Sequence, residues 1–274
     1  MRLIKPKFEI LTPTGDISMD IEIAARTCYK SEENITDTSA SKMVDNLIAS
    51  GHTAMLEHGT VYLTIPYGNL KSFYYGKNKY STVIIKDKYS EAYITTNYRV
   101  LVENGWLNDL KYQCEPTEFH EKRISVRFTC DRGVSHEFVR HRIFSFAQES
   151  TRFCNYMKAK FGKALTFIIP CWCNIPECDS NDENYSIDGR ENHYFTELLL
   201  FAEYTYFHLL EFGWKPQQAR AVLPVALKTE LVMTGTISDW EKFFKLRDAA
   251  PAHPQAYELA HPLHEEFIKR GLCS

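Results

Sequence analysis

The chain has 274 residues, 44% hydrophobic and 24% charged, the balance of a soluble globular protein with room for a sizeable core. Its net charge of -3 argues against a nucleic-acid-coating protein, so an anionic ligand must be gathered by a local cluster of arginines. No stretch approaches the roughly 18 apolar residues of a membrane span, no signal peptide opens the chain, and eight cysteines read as reduced thiols of a cytoplasmic protein.

In chain order, residues 21–29 have the periodicity of a short amphipathic helix. Ser39 or Ser41 can cap a second, with Met43, Val44, Leu47 and Ile48 on one face and its end near Gly51. Val61, Leu63 and Ile65 alternate with Tyr62 and Thr64, which predicts a strand with one buried face. From 66 to 121 the pattern loosens into an inserted segment, with a hairpin expected from 82–85 and 93–95 and a short helix over 97–103.

Order returns at Arg123. Ile124, Val126 and Phe128 alternate along a strand, and Asp131 can cap a helix through Val134, Phe138 and Val139. Residues 178–192 read as an exposed polar loop. The helix expected over about 193–212 is apolar on most faces and reads as central and largely buried, stopped by Gly213. Pro216 suits the first turn of another helix through Ala221, and 227–234 resembles a strand. Ser238 with Glu241 makes a capping box for a helix through Phe243, Phe244 and Leu246 to Arg247. The fold expected is α/β (α+β): one domain over 1–274, a mixed or antiparallel sheet packed by helices.

The chemistry concentrates in Arg140-His141-Arg142-Ile143-Phe144-Ser145-Phe146-Ala147-Gln148-Glu149-Ser150-Thr151-Arg152. Each guanidinium offers five donors in a fixed fork and stays charged, so several together suit phosphates, carboxylates or anionic rings. A single arginine here would read as a solvated helix end. The density of donors, with Ser145 and Ser150 among them, points to a ligand site. Cys171, Cys173 and Cys178, with Cys154 upstream, lack the paired spacing of a zinc knuckle, so no metal is expected.

Arg140-His141-Arg142, seven residues, then Ser150 resembles the signature of the flavin-dependent thymidylate synthases at every fixed position. Gly51-His52 with Glu57-His58 resembles that family's amino-terminal segment. Arg220 with Leu223-Pro224 and Thr229 resembles its later segment, and Phe243 through Leu246-Arg247 its final helix. The resemblance implies reductive methylation of dUMP to dTMP with FAD as cofactor and NADPH and methylenetetrahydrofolate as co-substrates. By position it places Glu137, Arg140, Gln148, Ser150, Arg152, Arg220 and Arg247 at dUMP. It places His52, Glu57, Arg140, His141, Arg142, Gln148, Thr236 and Lys242 at FAD. Arg247 is the catalytic group implied, stabilising negative charge on the uracil ring. Ser150 is assigned to binding, and no covalent protein nucleophile is expected.

The resemblance also implies a homotetramer with shared sites, and neither nucleic acid nor membrane as partner. Thr236 and Lys242 stand where the family often has Asn, and Glu137 and Gln148 where Gln and Glu are common. Arg99 and Arg127 read as solvated or structural. Three rivals remain. A classical thymidylate synthase needs Pro-Cys-His, whereas Pro170-Cys171 precedes Trp172. A non-catalytic nucleotide- or phosphate-binding protein could use the same arginines. An RNA-binding module would need a basic face that the composition does not offer.

Overall fold

The computed structural model describes residues 1–66, 68–86, 91–179 and 189–273. The strands are β1 (Arg2–Ile4), β2 (Lys7–Leu11), β3 (Thr60–Ile65), β4 (Thr82–Ile85), β5 (Ala92–Asn97), β6 (Arg123–Asp131), β7 (Ser145–Gln148), β8 (Thr166–Ile168) and β9 (Lys228–Thr236). The helices are α1 (Ile17–Tyr29), α2 (Ser39–Ala49), α3 (Lys71–Lys77), α4 (Tyr98–Asn104), α5 (Arg132–Phe138), α6 (Arg190–Glu211), α7 (Pro216–Ala219), α8 (Ile237–Arg247) and α9 (Pro254–Lys269). Short 3-10 segments precede β3 (Thr53–His58), follow α4 (Leu107–Tyr112) and follow α7 (Arg220–Val222).

Strand order β2-β6-β9-β7 makes a four-stranded antiparallel sheet, and β1 and β8 form a separate parallel pair. The ladder from Arg123↔Thr236 to Asp131↔Lys228 is unbroken. Alternation along it separates two faces. Val126, Phe128, Leu231 and Met233 point into the main core with Trp240, Phe243, Phe244 and Phe267 from α8 and α9. The rings meet at aromatic contact distances, Phe128–Phe138 at 5.0 Å and Phe144–Trp240 at 4.7 Å. Val232 and Ala147 face the other way and pack on Ala24 of α1.

The segment read as inserted supplies β4 and β5, which join β3 in a second sheet, β3-β5-β4, over a core of Val61, Leu63, Ile65, Tyr75, Ile94 and Leu101. The expected hairpin and the short helix α4, capped by Asn97, are present there, together with the unanticipated α3. The polar loop expected over 178–192 falls partly on residues 180–188, which lie outside the described residues. Among the described residues no helix is long and apolar enough to cross a membrane.

Three local expectations are corrected. α6 is not largely buried: Leu199 and Tyr206 enter a core, but Phe201 is 66% and Phe212 81% exposed, and Leu198 and Tyr204 are exposed beside them. One stripe meets the body of the protein, and the rest of its apolar surface is left outside. α8 opens not at Ser238 and Glu241 but at Thr236 and Asp239, which cap each other reciprocally. Ser238 instead donates to Glu121 at 2.6 Å. α2 is preceded by Thr38, with no side-chain cap, and the Ser39 hydroxyl donates to Glu22 at 2.8 Å.

Two glycines make a test of this packing. A Cβ on Gly235 would lie 2.5 Å from two ring atoms of Phe144, whereas one on Gly76 in α3 meets nothing within 4 Å. Gly235→Ala should therefore destabilise by about 1–3 kcal/mol through overpacking. Gly76→Ala should be neutral or stabilise by up to about 1 kcal/mol through helix propensity. Urea unfolding of both variants measures this, and equal effects would sink the packing argument.

Candidate active site

β6 and β9 each run directly into a helix. Asp131 ends β6 and accepts from Val134 N at 2.8 Å as the N-cap of α5, and Gln255 of α9 donates to its other oxygen at 2.7 Å. Thr236 ends β9 and caps α8. The C-terminal ends of these helices meet in a hydrogen-bonded cluster of three residues singled out by the resemblance. The Arg247 guanidinium pairs with the Glu137 carboxylate, donates to the Glu137 carbonyl at 2.9 Å, and donates through Nε to His141 Nε2 at 3.0 Å.

His141 is held by more than that bond. Its ring packs 5.0 Å from Phe243, itself at the centre of the aromatic core. Burial, then the Arg247 charge, pushes its pKa down to about 4. Because Nε2 accepts from Arg247, the network assigns the ring proton to Nδ1. At neutral pH this is a neutral imidazole against a guanidinium that stays charged.

The remaining assigned residues fall into separate groups on the single chain. Gln148, at the end of β7, donates to Ser135 Oγ at 2.9 Å and Thr229 Oγ1 at 3.3 Å. Ser150 Oγ accepts from Arg152 N at 3.3 Å, the Arg152 guanidinium lies 5.4 Å over the Phe153 ring, and Arg220 donates to Thr151 Oγ1 at 3.4 Å. Arg140 and Arg142 are exposed on the turn after α5. At the other end of β9, the Thr236 hydroxyl is taken up by the helix cap and Lys242 lies 3.4 Å from Asp239. His52 is exposed before the turn that holds Glu57, and Glu57 pairs with Arg99 at 2.6 Å.

Carboxylate pairing sorts the arginines. Arg99 is held by Glu57 and Glu103, Arg127 by Glu9, and Arg247 by Glu137. Among the described residues Arg123 and Arg132 bond to neutral oxygens only, and the exposed Arg140, Arg142, Arg152 and Arg220 likewise have no carboxylate partner, although the chain carries 35 Asp and Glu. The charge of these exposed arginines faces solvent and is open to an anion.

Two residues named in the sequence reading were given no role there. Arg123 donates to Glu57 O at 3.0 Å, Thr60 Oγ1 at 3.2 Å and Ser145 Oγ at 3.3 Å, tying the His52–His58 turn to the start of the motif strand. His58 is 3% exposed, lies 2.8 Å from Thr234 Oγ1, and has its pKa pushed down to about 3 by burial and then by Arg123. Leu11, Ile17, His58, Tyr62, Arg123 and Ser125 help bound a cavity of about 330 Å³, which none of the residues assigned by resemblance lines. The place of Arg123 at the start of an alternating run and the match of Glu57-His58 to the family were the available signals.

The depressed histidines set the acid limit of the fold. In the unfolded chain both titrate near 6.5, so between that value and the folded pKa the unfolded state binds more protons. Stability should be fully present above pH 6.5 and decline as the pH falls toward 4. His141→Gln, which keeps an acceptor near Nε2, should show a shallower decline in urea midpoints at pH 7, 5.5 and 4.5. An unchanged slope would remove His141 from the account.

Residues 76–270 match the family model described as thymidylate synthase complementing protein, a span that takes in much of the segment holding β4 and β5. The chain is similar to a probable flavin-dependent thymidylate synthase of Paramecium bursaria Chlorella virus 1, 26% identical over 156 residues covering 55% of this chain and 68% of that one. It is similar to the flavin-dependent thymidylate synthases of Pyrococcus furiosus and Pyrococcus horikoshii, 28% and 30% identical over 141 residues and 52% of each chain. It thus spans about half the length of these archaeal relatives. Among solved structures, the UMP/dUMP methylase PolB from Streptomyces cacaoi bound with 5-Br dUMP superposes with a TM-score of 0.46 at 18% identity, over 98% of this chain and 93% of that one. With residues 76–270 matched, well over half its length, the chain belongs to the thymidylate synthase complementing protein family, that of the flavin-dependent thymidylate synthases.

Proposed function

We propose that this chain catalyses the reductive methylation of dUMP to dTMP, with methylenetetrahydrofolate as carbon donor, NADPH as reductant and FAD as hydride carrier. The observation that carries the reading is Arg247, fixed by Glu137 and a neutral His141 in a member of this family. A guanidinium has five N–H donors, and three are engaged here, which leaves two for a ligand. Its side chain is 17% exposed, so it is partly desolvated yet reachable. Held there, it stabilises negative charge on a pyrimidine without giving up a proton.

The donor set fits both nucleotides. Exposed guanidiniums without carboxylate partners at Arg140, Arg142, Arg152 and Arg220 suit phosphates, and Ser150 and Gln148 add neutral donors. In this reading Glu137, Arg140, Gln148, Ser150, Arg152, Arg220 and Arg247 take dUMP. His52, Glu57, His141, Arg142 and the Thr236–Lys242 end of α8 hold FAD, with Arg140 and Gln148 shared. When bound, FAD supplies hydride storage between the nicotinamide and the one-carbon unit. Thr236 can offer only what its helix cap leaves free, and Lys242 contributes charge in place of an amide.

The same reading makes the working form an assembly of copies with shared sites. Its supports are the separation of the assigned residues into groups on one chain and the exposed aromatic face of α6. Sedimentation showing only monomer at assay concentration would remove it.

The function is tested by tritium release from dUMP labelled at C5, run anaerobically with methylenetetrahydrofolate and NADPH, with and without FAD. Release that requires FAD and NADPH is expected. Release without either would point to Cys171, and dUMP binding without release to a non-catalytic nucleotide binder. Arg247→Ala should leave FAD bound and lower turnover about 10²–10³-fold, the usual cost of removing a group that stabilises developing charge. Near-normal activity would exclude it.

A further inference from the structure

We propose that Glu149 and Lys228 form a buried ion pair that positions the loop carrying Gln148, Ser150 and Arg152. Glu149 would then be a positioning residue for the nucleotide; this rests on the reading of its neighbours as nucleotide ligands. Glu149 stands inside the motif, yet its side chain turns away from solvent and is 2% exposed. Both carboxylate oxygens are fixed. Tyr156 OH donates to one at 2.9 Å, and Lys228 Nζ to the other at 2.8 Å.

The pair belongs to a longer alternation of charge. Lys228 also donates to Glu230 at 2.7 Å, and Glu230 accepts from Lys30 at 2.9 Å on its other oxygen. The backbone joins the same framework: Glu149 N donates to Glu230 O at 2.8 Å, and Ser150 N to Cys28 O at 3.0 Å. The loop is therefore tied to β9 and to the end of α1 at once. The outward donors of Ser150 and Arg152 rise from this buried base.

A buried ion pair is a weak source of net stability, because desolvation offsets most of its attraction. Breaking one side is costly, since it strands a charge in a dry setting. Such a pair therefore fixes geometry more than it adds free energy, and geometry is what a nucleotide-binding loop needs before its ligand arrives. Glu149→Gln keeps the shape and leaves Lys228, among the described residues, with Glu230 as its anionic partner. Glu149→Met with Lys228→Met removes both charges and refills the volume.

The test has two arms on the full-length protein. In the first, amide exchange is measured without ligand. Glu149→Gln should accelerate exchange over residues 149–153 by about tenfold or more, as expected for a broken buried pair, while the double variant recovers most of the protection. In the second, dUMP affinity and steady-state kinetics are measured. Glu149→Gln should raise the dUMP Kd and KM about tenfold while kcat changes less than threefold, because a loosened loop weakens binding before chemistry. Tyr156→Phe, which keeps the pair and loses one hydrogen bond, should have a smaller effect in the same direction and serves if Glu149→Gln does not fold.

A lowered melting temperature with dUMP affinity unchanged within twofold would mean a purely structural role and overturn the proposal. So would weaker dUMP binding with no change in loop exchange. Wild-type protein that fails to bind dUMP sinks the functional reading instead, and the exchange arm then decides alone whether the pair holds the loop.

Discussion

The ladder between β6 and β9 is the constraint from which the rest follows. Nine consecutive residue pairs fix its register, and each strand ends on the residue that caps the next helix. α5 and α8 therefore start from opposite ends of one ladder and run back along the same face, where their C-terminal ends meet. A slip of one residue would turn the aromatic side of one strand away from the core and pull Glu137 and Arg247 apart. The meeting of two charged side chains 110 positions apart is thus a result of strand pairing.

The two faces of this sheet do different work. One is an aromatic block, dry enough to hold the His141 imidazole neutral. The other is polar: Arg123, Ser125 and Thr234 join His58 near one end, and Lys228 and Glu230 join Lys30 and Glu149 at the other. Burial pushes the histidines toward their neutral forms, while Lys228 and Lys30 overcome burial at Glu230 and bring its pKa down to about 2. The lysines at one end are balanced by carboxylates, whereas the Arg123 guanidinium at the other is held, among the described residues, by neutral oxygens alone.

Where a segment carried both a period and a stop signal, sequence and structure agree: β3, β6, β9, α4 and α5 have alternation or caps that their tertiary setting does not override. Short pieces were illegible for a physical reason. β1, β7 and β8 have three or four residues, too few to show a period, and they form only because a neighbouring strand is already in place. α9 begins at Pro254 and contains Pro262, which masked a helix that exists by packing on α8. In α6 apolar residues surround the axis, so composition could not name the buried stripe. At α8 two capping boxes overlapped, and the end of the β9 ladder chose between them, because Thr236 is still extended as the partner of Arg123. The motif arginines stood out as a cluster. Family resemblance placed Glu137 and Arg247 at one ligand and His141 at another, but no spacing in the chain reports that the three bond to one another, and that contact, like the Glu149–Lys228 pair, required coordinates.

The contact between Phe144 and Gly235 has an evolutionary side. Phe144 sits within the signature at one of its unspecified positions, yet its ring lies over a backbone position that has no side chain. A homologue that gains a side chain at 235 must shrink the residue at 144, and a small residue at 144 releases 235 to vary. The two sites should therefore covary across the family even though 91 positions of sequence separate them, with the intermediate step selected against. A signature that looks tolerant at 144 is tolerant only in company.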